Sequence, residues 1–147
     1  MVKHFDHVTV AVRDVDQAKA FFGLLGFEED KAVVISGPTF ERYMGVPGIE
    51  AEHVTLVLEK ATPRCEVQLL KYHHPDAIQD AFNERLDRLG FNHICFAVDD
   101  IEAEVARLRA HGIRTRNEIM DFHLRKLVFL AGPEGITVEL SQWHQPS

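Results

Sequence analysis

Cysteine is scarce in this chain. Only Cys65 and Cys95 occur among 147 residues, and neither belongs to a CxxC pair. That excludes a disulfide framework and a zinc-ribbon pattern, and both are expected as small buried hydrophobes in strand-like segments. Long apolar runs are missing too, since none approaches the roughly 20 residues that span a bilayer. The opening MVKHFDHVTVAV carries neither the apolar stretch nor the small-residue cleavage site of a signal peptide, so a cytoplasmic protein is expected. Positive charge is in deficit: 16 Lys and Arg stand against 23 Asp and Glu, a formal net of -7. Such a balance repels phosphate backbones and anionic leaflets, and neither nucleic acid nor membrane is expected as a partner.

What is present is an internal repeat, the feature to look for before any other. The segment FDHVTVAVRDVDQAKAFFGLLGF, starting at Phe5, lies without a gap over FNHICFAVDDIEAEVARLRAHGI, starting 86 residues later at Phe91. Phe5/Phe91, His7/His93, Ala11/Ala97, Val12/Val98, Asp14/Asp100, Ala20/Ala106 and Gly26/Gly112 are identical pairs.

Each copy begins with an alternating run that reads as a strand. Val8, Val10 and Val12, or Ile94, Phe96 and Val98, take the packing face; His7, Thr9 and Ala11, or His93, Cys95 and Ala97, take the other. Asp14 and Asp100 are placed to N-cap the helices that follow, and Gly26 and Gly112 to end them in a left-handed conformation. Further strands are read at HVTLVLEK and CEVQLLKY in the first copy, and at RKLVFL and ITVELSQW, joined by the turn GPEG, in the second. Val67-Gln68-Leu69 corresponds to Val138-Glu139-Leu140, only 71 residues further on. The first copy is therefore the longer, and the surplus is expected in the Gly- and Pro-containing stretch 35–52, an irregular excursion over the sheet. Ile78, Phe82, Leu86 and Leu89 suggest a short amphipathic linker helix. The expected organisation is one domain over 1–147, with module 1 at about 4–72, the linker helix at about 75–90 and module 2 at about 91–143.

The period of two in a strand decides which side chains meet. In the last strands Gln68 and Glu139 take the parity opposite to the packing residues, as His7 and His93 do in the first strands. If the modules are related by a pseudo-twofold axis, these four converge. Two imidazoles, a carboxylate and a carboxamide oxygen suit one divalent ion, Zn, Ni, Co, Mn or Fe, with positions left for substrate or water. A net ligand charge of only -1 leaves such an ion strongly Lewis acidic, which favours stabilisation of an enolate or another oxyanion.

FDHVTVAVRD with His7, EVQLL with Gln68, FNHICFAVDDI with His93 and GPEGITVEL with Glu139 together resemble the vicinal oxygen chelate superfamily, which includes glyoxalase I, methylmalonyl-CoA epimerase, extradiol dioxygenases, and bleomycin and fosfomycin resistance proteins. The resemblance implies an α+β fold: tandem β-α-β-β-β modules forming a cup-shaped, eight-stranded mixed sheet with helices outside and the metal within. It also implies a small-molecule substrate bound through adjacent oxygens, and a homodimer, in keeping with the prevalence of twofold oligomers.

A Gln in the first module and a Glu in the last strand look most like the epimerase and glyoxalase branches. A metal-dependent lyase or isomerase acting on a small oxygenated metabolite or thioester is therefore expected, with Glu139 as the catalytic base. HVTLVLEK offers His53 where the epimerase has a second glutamate, and His53 and Arg125 are the candidate substrate-binding residues. Two alternatives stand beside this reading. One is an extradiol-type Fe(II) dioxygenase using two His and one Glu; the other is an antibiotic-binding resistance protein without chemistry.

Overall fold

The structure is a computed structural model that describes residues 1–144. Two compact units divide the chain, Met1–Gln79 and Asp80–Ser147.

In the first unit β1 (His7–Ala11) leads into α1 (Val15–Leu24), followed by β2 (Phe27–Ser36), a short helix α2 (Pro38–Met44), β3 (Glu50–Leu58) and β4 (Glu66–His74). The sheet order is β1-β4-β3-β2, with β1 and β4 parallel and the other pairs antiparallel. The second unit repeats the plan: β5 (His93–Ala97), α3 (Ile101–Ala110), β6 (Met120–Phe122), β7 (Arg125–Ala131), a 3-10 turn (Pro133–Gly135) and β8 (Thr137–Trp143), in the order β5-β8-β7-β6. The α+β class and the β-α-β-β-β modules are as expected. The ladders close within each unit, so the described strands form two four-stranded sheets rather than one hydrogen-bonded sheet of eight.

Local chemistry explains the helices. The Asp14 carboxylate accepts from the Gln17 amide at 2.9 Å and the Asp100 carboxylate from the Ala103 amide at 3.0 Å, as N-caps do. Gly26, at φ +102°, ends the first helix, where any Cβ would also press on the Leu58 side chain at 3.3 Å. Val15, Ala18, Phe21 and Phe22 of α1 are buried, as are Val67 and Leu69 of β4 and Val54 and Leu56 of β3. Ile101, Val105 and Leu108 of α3 are buried in the second unit, with Val128, Leu130, Val138 and Leu140. Alternation thus leaves the opposite face of each sheet for the residues of the site.

Three expectations need correction. The linker helix does not form, and residues 75–90 contain only turns and bends. Ile78 and Leu89 are almost fully exposed, so the amphipathic stripe has nothing to bury against, and a helix this short gains too little from its own hydrogen bonds. The Asp80 carboxylate instead accepts from the Phe82 amide at 2.8 Å, the local capture that draws Asp out of helices. The stretch after Ile35 is less irregular than expected. Gly37 and Pro38 start α2, whose Phe40 and Met44 pack with Ile35, Ile49, Ala51 and Leu70 in a second small core. The cysteines are not buried hydrophobes: Cys65 lies half-buried just before β4, and Cys95, although in β5, is exposed because it takes the face away from the core.

Candidate functional site

In the first unit the parallel register sets His7 opposite Glu66 and Thr9 opposite Gln68, while β3 brings Thr55 opposite Gln68 and His53 opposite Leu70. Residues opposite one another share a face, so His7, Thr9, His53, Glu66 and Gln68 all stand on the side away from α1.

Gln68 lies at the centre of a hydrogen-bonded chain. Its Oε1 accepts from His53 Nε2 at 3.0 Å and, at longer range, from Thr9 Oγ1 at 3.5 Å, while its Nε2 donates to Glu66 Oε1 at 2.9 Å. Glu66 Oε2 accepts from Arg64 Nε at 2.6 Å, and the same guanidinium reaches Asp30 at 2.9 Å. The amide of Gln68, and then Arg64, hold the Glu66 carboxyl below the usual carboxylate range. Glu66 thus accepts from Gln68 as a carboxylate, which determines which end of the Gln68 amide is oxygen.

His7 donates from Nδ1 to Asp6 Oδ1 at 2.6 Å, so in the neutral imidazole the lone pair lies on Nε2, the nitrogen that a metal would take. One donor atom each of Asp6, His7 and Glu66 lies within 4.8 Å of the others, a grouping small enough to share an ion. The same face opens into a cavity of about 430 Å³. Its polar lining comes from His7, Thr9, Lys31, His53 and Gln68, and its apolar wall from β2, α2 and Leu70.

The second unit uses the same register one repeat later: Cys95 pairs with Glu139 as Thr9 does with Gln68, and His93 with Thr137 as His7 does with Glu66. Gln68 and Glu139 are therefore structurally equivalent positions. His93 Nδ1 donates to Asn92 Oδ1 at 2.6 Å, and its ring stands edge-on to Phe129 with centroids 5.2 Å apart. His93 Nε2 lies 3.7 Å from Glu139 Oε1. That is too long for a hydrogen bond, but two ligands about 2.1 Å from one ion stand roughly 3.4 Å apart in tetrahedral geometry. The donor types, the bare Nε2 and this separation all fit a divalent metal.

Cys95 keeps surface open to solvent, yet desolvation pushes its thiol up to about 11, with Glu139 adding to the rise and Ser141 and Arg125 opposing it. Arg125 sits over the Trp143 ring at 4.3 Å, so its guanidinium already has an aromatic partner.

Of the residues expected from sequence, His7, Gln68 and His53 lie together on one face of the first unit, and His93, Glu139 and Arg125 lie on one face of the second. His53 is engaged with Gln68. Asp6 and Asn92 went unread, although the signal was present: both histidines of the repeat follow an acid or its amide, FDH and FNH. Glu66 also escapes the sequence, because its role depends on Arg64 and on the Gln68 amide.

A family model described as the Glyoxalase/Bleomycin resistance protein/Dioxygenase superfamily matches residues 4–140. The lactoylglutathione lyase of Schizosaccharomyces pombe is 26% identical over 140 residues, covering 92% of this chain and 44% of that protein. The chain spans less than half the length of the yeast relatives it matches. The mitochondrial methylmalonyl-CoA epimerase of Homo sapiens is 28% identical over 142 residues, covering 93% of this chain and 72% of that one. A crystal structure of a glyoxalase family protein from Bacillus cereus superposes with a TM-score of 0.85 at 24% identity, covering 97% and 95% of the two chains, a likeness of fold.

Proposed function

Because the chain belongs to the glyoxalase/bleomycin resistance protein/dioxygenase superfamily, whose family model spans residues 4–140, we propose that it is a divalent-metal-dependent lyase or isomerase of the glyoxalase or epimerase type. Its substrate is a small oxygenated metabolite or thioester, and its chemistry is proton transfer beside a carbonyl. The observation that carries this reading is the 3.7 Å separation of His93 Nε2 and Glu139 Oε1, with the far nitrogen of His93 held by Asn92.

His7, Gln68, His93 and Glu139 are the residues that would hold the ion, as the family resemblance implies. When bound, it supplies Lewis acidity that favours an enolate-like oxyanion over the neutral carbonyl. Glu139 is the one carboxylate of the set and moves the proton, accepting it at a carboxylate oxygen from the carbon beside the carbonyl and returning it. Asp6 and Asn92 accept from Nδ1 of each histidine and aim Nε2 as the ligand atom. Phe129, against His93, limits the ring's rotation. His53 orients Gln68 and lines the cavity, where it also meets substrate; Arg125 is a second candidate for substrate contact. The working form is a cytoplasmic homodimer.

The test is solvent exchange. Protein loaded in turn with Zn, Ni, Co, Mn and Fe is incubated in heavy water with a malonyl-type thioester and with the thiohemiacetal of a 2-oxoaldehyde. Metal-dependent deuterium incorporation at the carbon beside the carbonyl, lost in Glu139→Ala, supports the reading. Oxygen consumption with Fe(II) in place of exchange would shift it to a dioxygenase.

The largely apolar cavity favours one other reading, a protein that sequesters a small molecule without transforming it. Ligand binding with no turnover under any metal would select that reading.

A further inference from the structure

Among the described residues, one formally charged side chain lining the cavity of the first unit has no ion-pair partner. Lys31 lines it from the edge strand β2. The two residues before Lys31 are both acidic, but each is committed elsewhere: Glu29 pairs with Lys19 at 3.2 Å and Asp30 with Arg64 at 2.9 Å. Among the described residues Lys31 has no ion pair.

A backbone irregularity puts it there. Glu29 stands opposite Leu56 on β3 and Lys31 opposite Thr55, so Asp30 is the extra residue of a β-bulge. Without the bulge Asp30 would face Thr55 and the cavity, and Lys31 would oppose Val54, which is buried on the helix side. The bulge therefore replaces an anion by a cation on the cavity face, the re-aiming that bulges perform beside sites.

The register also gives the distance to the polar centre. Lys31, Thr55, Gln68 and Thr9 form one row across β2, β3, β4 and β1. Lys31 is two strand spacings from Gln68, about 10 Å along the row, a gap that a lysine side chain and a small ligand bridge together. Beside this row the wall turns apolar, with Val33 and Ile35 on β2 and Phe40 and Met44 on α2. A volume of about 430 Å³ is that of a small-molecule site.

We propose that this cavity selects organic anions with an apolar body, the carboxylate or similar group held by Lys31 and the body lying against Val33, Ile35, Phe40 and Met44. The inference deepens the functional reading above and rests on it for the catalytic role of the site. The binding preference itself needs only this unit's geometry.

The probes are 1-naphthylacetate and its neutral amide, titrated into full-length protein and followed by shifts of backbone amide resonances. Metal-free protein is used first, because a bound cation would itself attract the anion. Wild type binds the acid at least about fivefold tighter than the amide at low salt, with shifts at Val33, Ile35 and Met44, and the preference shrinks as salt rises. Lys31→Met removes the preference and leaves amide binding unchanged; Lys31→Arg retains it; Phe40→Ala weakens both probes alike. Equal affinities in wild type, or a preference that survives in Lys31→Met, would overturn the proposal. If metal binding and proton exchange hold while acid and amide bind equally, only the substrate class fails. If the acid preference holds in a protein that neither binds metal nor turns over, the enzymatic reading fails instead.

Discussion

His93 and Glu139 lie diagonally across the adjacent parallel strands β5 and β8 with Nε2 and Oε1 3.7 Å apart, while Asn92 holds the other imidazole nitrogen and Phe129 the ring edge. This pair sits at the side-chain positions that His7 and Gln68 occupy one repeat earlier, in the same register. Glu139→Gln puts the first module's own residue type into the second. Metal affinity is expected to fall at least about tenfold, since a carboxylate becomes a neutral amide, and proton exchange to fall by about 10² or more because the base is lost. Titration with a chromophoric chelator and a heavy-water exchange assay separate the two effects.

Asp6 and Asn92 accept from the inner nitrogen of His7 and His93 at 2.6 Å in both cases. Removing either acceptor, as Asp6→Ala or Asn92→Ala, frees the ring to rotate and change tautomer. A loss of about 10- to 100-fold in metal affinity is expected, the usual effect of deleting a ligand's hydrogen-bond partner. Long-range proton–nitrogen NMR of the metal-free protein reads the cause directly: Nδ1 protonated in wild type, mixed tautomers in the variants. An unchanged tautomer would assign the acceptors no orienting role.

Cys95 supplies a pH prediction. In metal-free protein at neutral pH its thiol is almost wholly protonated, because it titrates near 11. Its alkylation by iodoacetamide is expected to be far slower at pH 7.5 than that of an ordinary free thiol and to accelerate through pH 10. Glu139 is one of the groups that disfavour the thiolate, so Glu139→Gln lowers the titration point and speeds alkylation. Mass spectrometry of the Cys95 peptide measures the rate.

Each N-cap aspartate supports one helix. Asp14→Ala and Asp100→Ala are each expected to cost about 1 kcal/mol in chemical denaturation, and, as caps of separate helices, to add in the double variant. The matching asparagine variants recover most of the loss. A destabilisation confined to one variant would mean that the repeated cap does different work in the two modules.

Much of this architecture was legible because the chain states its plan twice. Phe5 to Gly26 and Phe91 to Gly112 carry the same strand parity, cap and helix end, and the structure reproduces each of them in both copies. What escaped depends on partners remote in sequence or on the absence of a partner. The stripe Ile78, Phe82, Leu86 and Leu89 has helical spacing, yet most of it is exposed and Asp80 captures the local amide, so spacing alone misled. The bulge at Asp30 is invisible to alternation, which would have placed Lys31 on the helix side. Cys95 was read by residue type rather than by the parity that puts it on the same face as His93. The engagement of His53 with Gln68 requires β3 and β4 to be neighbours in a known register.

The most direct test is metal content. Protein purified without chelator is analysed for its elements beside the His7→Ala, His93→Ala and Glu139→Ala variants, each checked for retained secondary structure. The account predicts about one divalent ion per chain in the wild type and a loss in all three variants. A folded wild type that takes up no ion from any of the five candidate metals would contradict it, as would variants that retain the ion in full.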